Sequence, residues 1–142
     1  MLVLVVEDDD DIRAVVLECL RGDGFEAFGV SGGREALEVL DAVRPDVILL
    51  DLVMGDMDGW KFREQQLMMP SISRIPVVVM TGLPSASLDD LNAAAVVPKP
   101  FTAQALAATL RRSVGAQHGP RAPSGSNATG AEGDASSENG SP

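Results

Sequence analysis

Five short apolar runs punctuate the chain: Leu2 to Val6, Phe25 to Val30, Asp46 to Leu50, Ile75 to Met80, and Ala95 to Val97. Most are rich in β-branched residues and apolar on both alternating faces, the pattern of strands covered on both sides in a parallel sheet. The second run is more mixed, as expected of a sheet edge. Between the first two, Ile12, Val15, Val16, Cys19 and Leu20 recur at i, i+3, i+4, i+7 and i+8, which predicts an amphipathic helix ended near Gly22 and Gly24. That stripe puts Cys19 in the core. A second helix is expected through Ala36, Leu37, Leu40 and Val43, stopping before Pro45, and a third from Gly59 to Met68, before Pro70. Ser87-Leu88-Asp89-Asp90 resembles a capping box and predicts a short fourth helix. A fifth begins after Thr102 and runs to about Val114.

Strands alternating with helices build right-handed βαβ units, so the fold class is α/β, one doubly wound five-stranded parallel sheet with helices on both faces. The hydrophobic pattern stops near residue 116. From Gly119 to Pro142 there is no Val, Ile, Leu, Met or aromatic residue. Residues 1–116 are therefore expected to be the folded domain and residues 117–142 a disordered tail rich in Gly, Ser, Ala and Pro.

Composition narrows the function. The 142 residues carry a formal net charge of −10, which argues against direct binding to nucleic acid and is compatible with cations or basic partners. Cys19 stands alone, so no internal disulfide forms, and a reducing compartment is expected. Acids follow the first apolar run at once, unlike a secretory leader, and no apolar run is long enough to cross a bilayer. The cytoplasm is the expected location.

In open parallel sheets, ligands bind beyond the carboxyl ends of the strands. Glu7 and Asp8 follow the first run, Asp51 the third, Thr81 the fourth, and Lys99 the fifth. Three carboxylates, a hydroxyl and an ammonium thus converge on one edge. Carboxylates this close repel unless a cation neutralises them, and hard oxygen donors in small number suit Mg²⁺. One carboxylate can then act as nucleophile toward a phosphoryl group. Taken alone, Asp51 reads equally well as a turn residue after a buried strand. Asp9, Asp10 and Asp11 read as solvated or as favouring a helix N-terminus, Asp56 and Asp58 as loop acids, His118 as a solvated residue, and Trp60 as partial packing.

Glu7-Asp8, Asp51 after Val47-Ile48-Leu49-Leu50, Met54 with Asp58-Gly59, Thr81-Gly82 and Pro98-Lys99-Pro100-Phe101 together resemble response-regulator receiver domains of two-component signalling, the family that includes chemotaxis regulators. The resemblance spans nearly all of residues 1–116. It implies the flavodoxin-like strand order 2-1-3-4-5 and a phosphoacceptor at Asp51. Asp8, Asp51 and the main-chain carbonyl of Val53 would ligate Mg²⁺, with Glu7 acting through a metal-bound water. Thr81 would be the switch hydroxyl, Lys99 would contact the phosphoryl group, and Lys99-Pro100 would be cis. The implied donor is a histidine kinase or phosphotransfer protein. With no second folded domain in the sequence, output is expected through contact with a downstream protein, as a monomer or a phosphorylation-linked dimer.

Three departures from the family pattern stand out. Val96 occupies the place, three residues before the Lys, where many receivers carry Tyr or Phe. The interval from Thr81 to Lys99 is short, so the fourth helix should be truncated and the surface of fourth helix, fifth strand and fifth helix altered. Val53 and Leu83, two residues after Asp51 and Thr81, are both apolar, which predicts slow loss of a phosphoryl group. An aspartate-nucleophile phosphatase is disfavoured, because its second acid would fall at Val53. A nucleotide-binding P-loop is absent. A receiver that binds partners irrespective of phosphate is kept open by Val96 and the short fourth helix.

Overall fold

The computed structural model describes residues 1–84, 88 and 91–118. The five apolar runs form strands β1 (Leu2–Val6), β2 (Glu26–Val30), β3 (Val47–Asp51), β4 (Val77–Thr81) and β5 (Ala95–Pro98). All neighbours are parallel, in the order β2-β1-β3-β4-β5. Runs three and four each start later than their apolar letters suggest and end on the polar residue that follows. Asp51 and Thr81 are consequently the last residues of their strands.

Alternation along the central strands divides the core into two layers. Val3, Val5, Leu49, Val78 and Met80 meet Val16 and Leu20 of helix α1 (Asp10–Gly22) and Leu106 and Leu110 of helix α4 (Ala103–His118). Leu4, Val6, Ile48, Leu50, Val77 and Val79 meet Ala36 of helix α2 (Gly33–Val39) and Phe62 of helix α3 (Gly59–Leu67). Every residue of β3 and β4 is buried, which explains why both read as uninterrupted apolar runs.

Helices α1, α3 and α4 start where short polar side chains can satisfy free backbone N–H groups, while α2 starts after Gly32 with no side-chain cap. Asp9 accepts from the amides of Asp11 and Ile12, Asp58 from Lys61, and Thr102 from Ala105. Asp10 and Asp11 occupy the positive first turn of α1.

Three sequence expectations change. In α1, Ile12 and Val15 are exposed at 39 % and 59 %, and Cys19 is only partly buried. The helix is rolled so that Val16 and Leu20 face the sheet, with Arg13 and Leu17 lying over Gly29 of β2. The roll follows from Arg13, whose Nη1 donates to the Glu7 carbonyl at 2.9 Å and draws that side of the helix inward. The second helix ends at Val39 rather than Val43; the chain then turns, and the guanidinium of Arg44 donates to the Leu40 carbonyl. The fifth expected helix is α4 and runs to His118, past Val114. Of the expected fourth helix, Leu88 is buried, while Ser87, Asp89 and Asp90 lie outside the described residues, as does the tail from Gly119.

Helix α3 buries Gly59, Phe62, Arg63 and Gln66, so half of its inward face is polar. Arg63 has no carboxylate partner among the described residues. Its Nε donates to the Leu91 carbonyl at 2.9 Å, its Nη2 to the Asn92 carbonyl at 2.8 Å and its Nη1 to Gln66 Oε1 at 2.8 Å. Gln66 Nε2 in turn donates to the carbonyls of Ile72 and Ile75. This chain of bonds ties the segment entering β5 to α3, at a turn where Asn92 has φ of 53°.

Candidate functional site

The parallel register carries the carboxyl ends of β1, β3, β4 and β5 to one edge. Val6 pairs with Leu50, Leu50 with Val79, and Thr81 with Pro98, so the residues just beyond them become neighbours. One carboxylate oxygen from each of Glu7, Asp8 and Asp51 lies within 4.8 Å of the others. Lys99 Nζ sits 3.4 Å from Asp51 Oδ1 and 3.8 Å from Glu7 Oε1. The five letters picked out by the strand pattern therefore share this edge.

Their environments differ. Glu7 is 1 % exposed and Asp51 5 %, whereas Asp8 is exposed at the rim. Glu7 Oε2 accepts from the Asp9 amide at 3.1 Å, but Oε1 is buried with no hydrogen-bond partner. Burial, with the Asp51 charge beside it, pushes the Glu7 carboxyl up to about 7, against the opposing pull of the Asp9 amide and Lys99. Thr81 is buried at the end of β4; its Oγ1 accepts from the Leu83 amide at 3.1 Å, and its carbonyl accepts from Lys99 N at 2.9 Å. The Lys99-Pro100 peptide is cis, as the family pattern implies. Val53 lies in the β3–α3 loop with its side chain 65 % exposed, and Leu83 is also exposed.

Three carboxylates face one ammonium, and one buried oxygen accepts no hydrogen bond. Both are signs of a site built for a cation. The donors are hard oxygens, and the site opens to solvent at Asp8, which suits a divalent ion that keeps part of its water shell.

Sequence reasoning missed the main-chain groups that hold this edge. The Gly55 amide donates to Asp8 Oδ2 at 3.1 Å. Asp56, an exposed loop acid as expected, also accepts from the amides of Met57 and Arg34 and lies so close over Gly32 that a methyl there would collide with its carboxylate. Amides carry no signature in side-chain letters.

A family model for the response regulator receiver domain matches residues 3–111. The chain belongs to the response regulator receiver family. The receiver is 34 % identical over 112 residues to Protein Rrf1 of Nitratidesulfovibrio vulgaris, covering 79 % of this chain and 81 % of that protein. It is 31 % identical to the DNA-binding response regulator MtrA of Mycolicibacterium smegmatis, covering 77 % of this chain but only 48 % of MtrA. The receiver thus spans about half the length of several curated relatives that it matches. Among solved structures, it resembles the chemotaxis protein CheY4 of Vibrio cholerae with TM-score 0.73 and 30 % identity, over 78 % of this chain and 96 % of that one. The receiver is accordingly a module of two-component signal transduction, a signalling domain by family rather than a metabolic enzyme.

Proposed function

We propose that this receiver takes a phosphoryl group onto the Asp51 carboxylate from a phosphohistidine of a kinase or phosphotransfer protein. The carrying observation is the meeting of Asp51 with Lys99 at 3.4 Å and with the carboxylates of Glu7 and Asp8. An Asp51 oxygen forms the new O–P bond, the N–P bond of the donor breaks, and the departing imidazole gains a proton. Lys99, already drawn to Asp51, neutralises charge on the transferring oxygens. In this reading Asp8, Asp51 and the Val53 carbonyl would hold a divalent ion, and Glu7 would assist through a water on it. Mg²⁺ bound there would supply charge neutralisation for the phosphoryl oxygens. Thr81, at the end of the adjacent strand, is the hydroxyl that turns toward the attached phosphoryl group and passes the change to the surface.

On this reading the receiver works in the cytoplasm, where a kinase would reach it, and signals through contact with a downstream protein, as a monomer or a phosphorylation-linked dimer. The net charge of −10 favours protein over nucleic acid as the direct partner. Among the described residues no helix is long and apolar enough to cross a membrane.

The test is incubation with Mg²⁺ and acetyl phosphate or phosphoramidate, followed by intact mass measurement. One phosphoryl group should be gained, only when Mg²⁺ is present, and Asp51→Asn should gain none. Uptake by Asp51→Asn equal to that of the native protein, or continuous turnover of phosphate esters, overturns the assignment.

A further inference from the structure

Asp8 is the one exposed member of the acidic trio, and it stands on a loop beyond the end of β1. An exposed carboxylate rotates freely unless something holds it, and ordering it on cation binding costs entropy. Here it is held. The Gly55 amide, 47 residues away in sequence, donates to Oδ2 and so joins the β1–α1 and β3–α3 loops across the mouth of the site. Gly55 is held in turn: its neighbour Asp56 is seated over Gly32 and bonded to the Arg34 amide, fixing the loop against the start of α2.

We propose that the Gly55 N–H is a specificity-determining group of the cation site, which occupies Oδ2 of Asp8 and leaves a single oxygen, Oδ1, to the ion. This rests on the reading of Asp8 as a metal ligand given above. The consequence is selectivity. Mg²⁺ takes one oxygen from each carboxylate in a strict octahedron, whereas Ca²⁺ takes six to eight ligands and readily engages both oxygens of one carboxylate. With Oδ2 engaged, Asp8 is ready for the first ion and a poor ligand for the second.

The cleanest test exchanges Gly55 for glycolic acid, which turns the amide into an ester and removes one N–H with no change of side chain. Mg²⁺ and Ca²⁺ affinities of both proteins are measured by calorimetric titration, with the melting temperature of the ion-free forms recorded alongside. The ester form should bind Mg²⁺ about three- to tenfold more weakly, the cost of ordering one freed side chain on binding. Ca²⁺ binding should hold or tighten, so the Mg²⁺/Ca²⁺ preference falls. Gly32→Ala, which unseats Asp56, should shift the preference the same way. A tether that merely stiffens the loop would weaken both ions together, and an unchanged preference in the ester form overturns the proposal. Failure of the native protein to bind Mg²⁺ at all would instead bring down the reading of the site, and this inference with it.

Discussion

At Val53 the side chain is two-thirds exposed beside the mouth of the site and offers no polar atom to solvent near Asp51. Water attacking an acyl phosphate there would lack an orienting partner on that side, and Leu83, also exposed and apolar, supplies none on the other. Val53→Asn places an amide where it can hold such a water. Phosphoryl loss from Asp51, followed by intact mass after removal of donor, should then speed up by about tenfold, roughly the value of one well-placed hydrogen bond. Equal half-lives would show that access at this position does not limit hydrolysis. Residue by residue, the site was legible to the extent that its members are side chains placed directly after apolar runs: Glu7, Asp8, Asp51, Thr81 and Lys99 all reach the edge the strand pattern gave them. Arg13 was not legible in this way. Its role depends on the Glu7 carbonyl, an acceptor that any residue at that position would provide.

Elements were read well where burial is two-sided and less well where it is one-sided. β3 and β4 have no exposed face, so a shift of one or two residues at their ends was the whole error. α1 has one buried side, and two adjacent stripes of its sequence are both partly apolar; Arg13 and the flat surface of Gly29 decided between them. α3 presents the opposite difficulty, since Arg63 and Gln66 read as solvent-facing letters yet are buried. Burial pulls the Arg63 guanidinium below its ordinary pKa, and its three hydrogen bonds to neutral oxygens are what make the buried charge tolerable. Arg63→Ala leaves the Leu91 and Asn92 carbonyls and Gln66 Oε1 unpaired inside the protein. The expected loss is about 3 kcal/mol of unfolding free energy in urea, at one to three per stranded group with partial rescue by water. A loss below about 1 kcal/mol, the ordinary cost of a surface change, would mean that the segment entering β5 is not held from α3.

For the molecule as a whole, the acidic edge opposes the fold that creates it. Glu7 keeps its proton up to about pH 7 in the native state but would release it near 4.5 when unfolded. Between those values the native state holds the extra proton, so ion-free stability falls as pH rises, by an amount on the order of 3 kcal/mol across the interval. Denaturant titrations from pH 4.5 to 7.5 should display that slope, Glu7→Gln should flatten it, and saturating Mg²⁺ should reverse it because the ion binds the carboxylate form. A flat profile in the native protein would mean that Glu7 is ionised throughout. The two-layer architecture followed from the alternation of elements and the strand order from the family resemblance, while the opposition between site and stability emerged only when the burial of Glu7 was known.

Trp60 stands at the first turn of α3, just after the Asp58 cap, and lines a hollow with Arg63, Leu67 and Leu91. The chain has no tyrosine and no second tryptophan, so its ultraviolet emission comes from this one indole. Any sliding of the segment before β5 against α3 alters the polarity around that ring. The molecule therefore carries a built-in optical gauge for the rearrangement by which a receiver of this kind would report its state, readable without a dye.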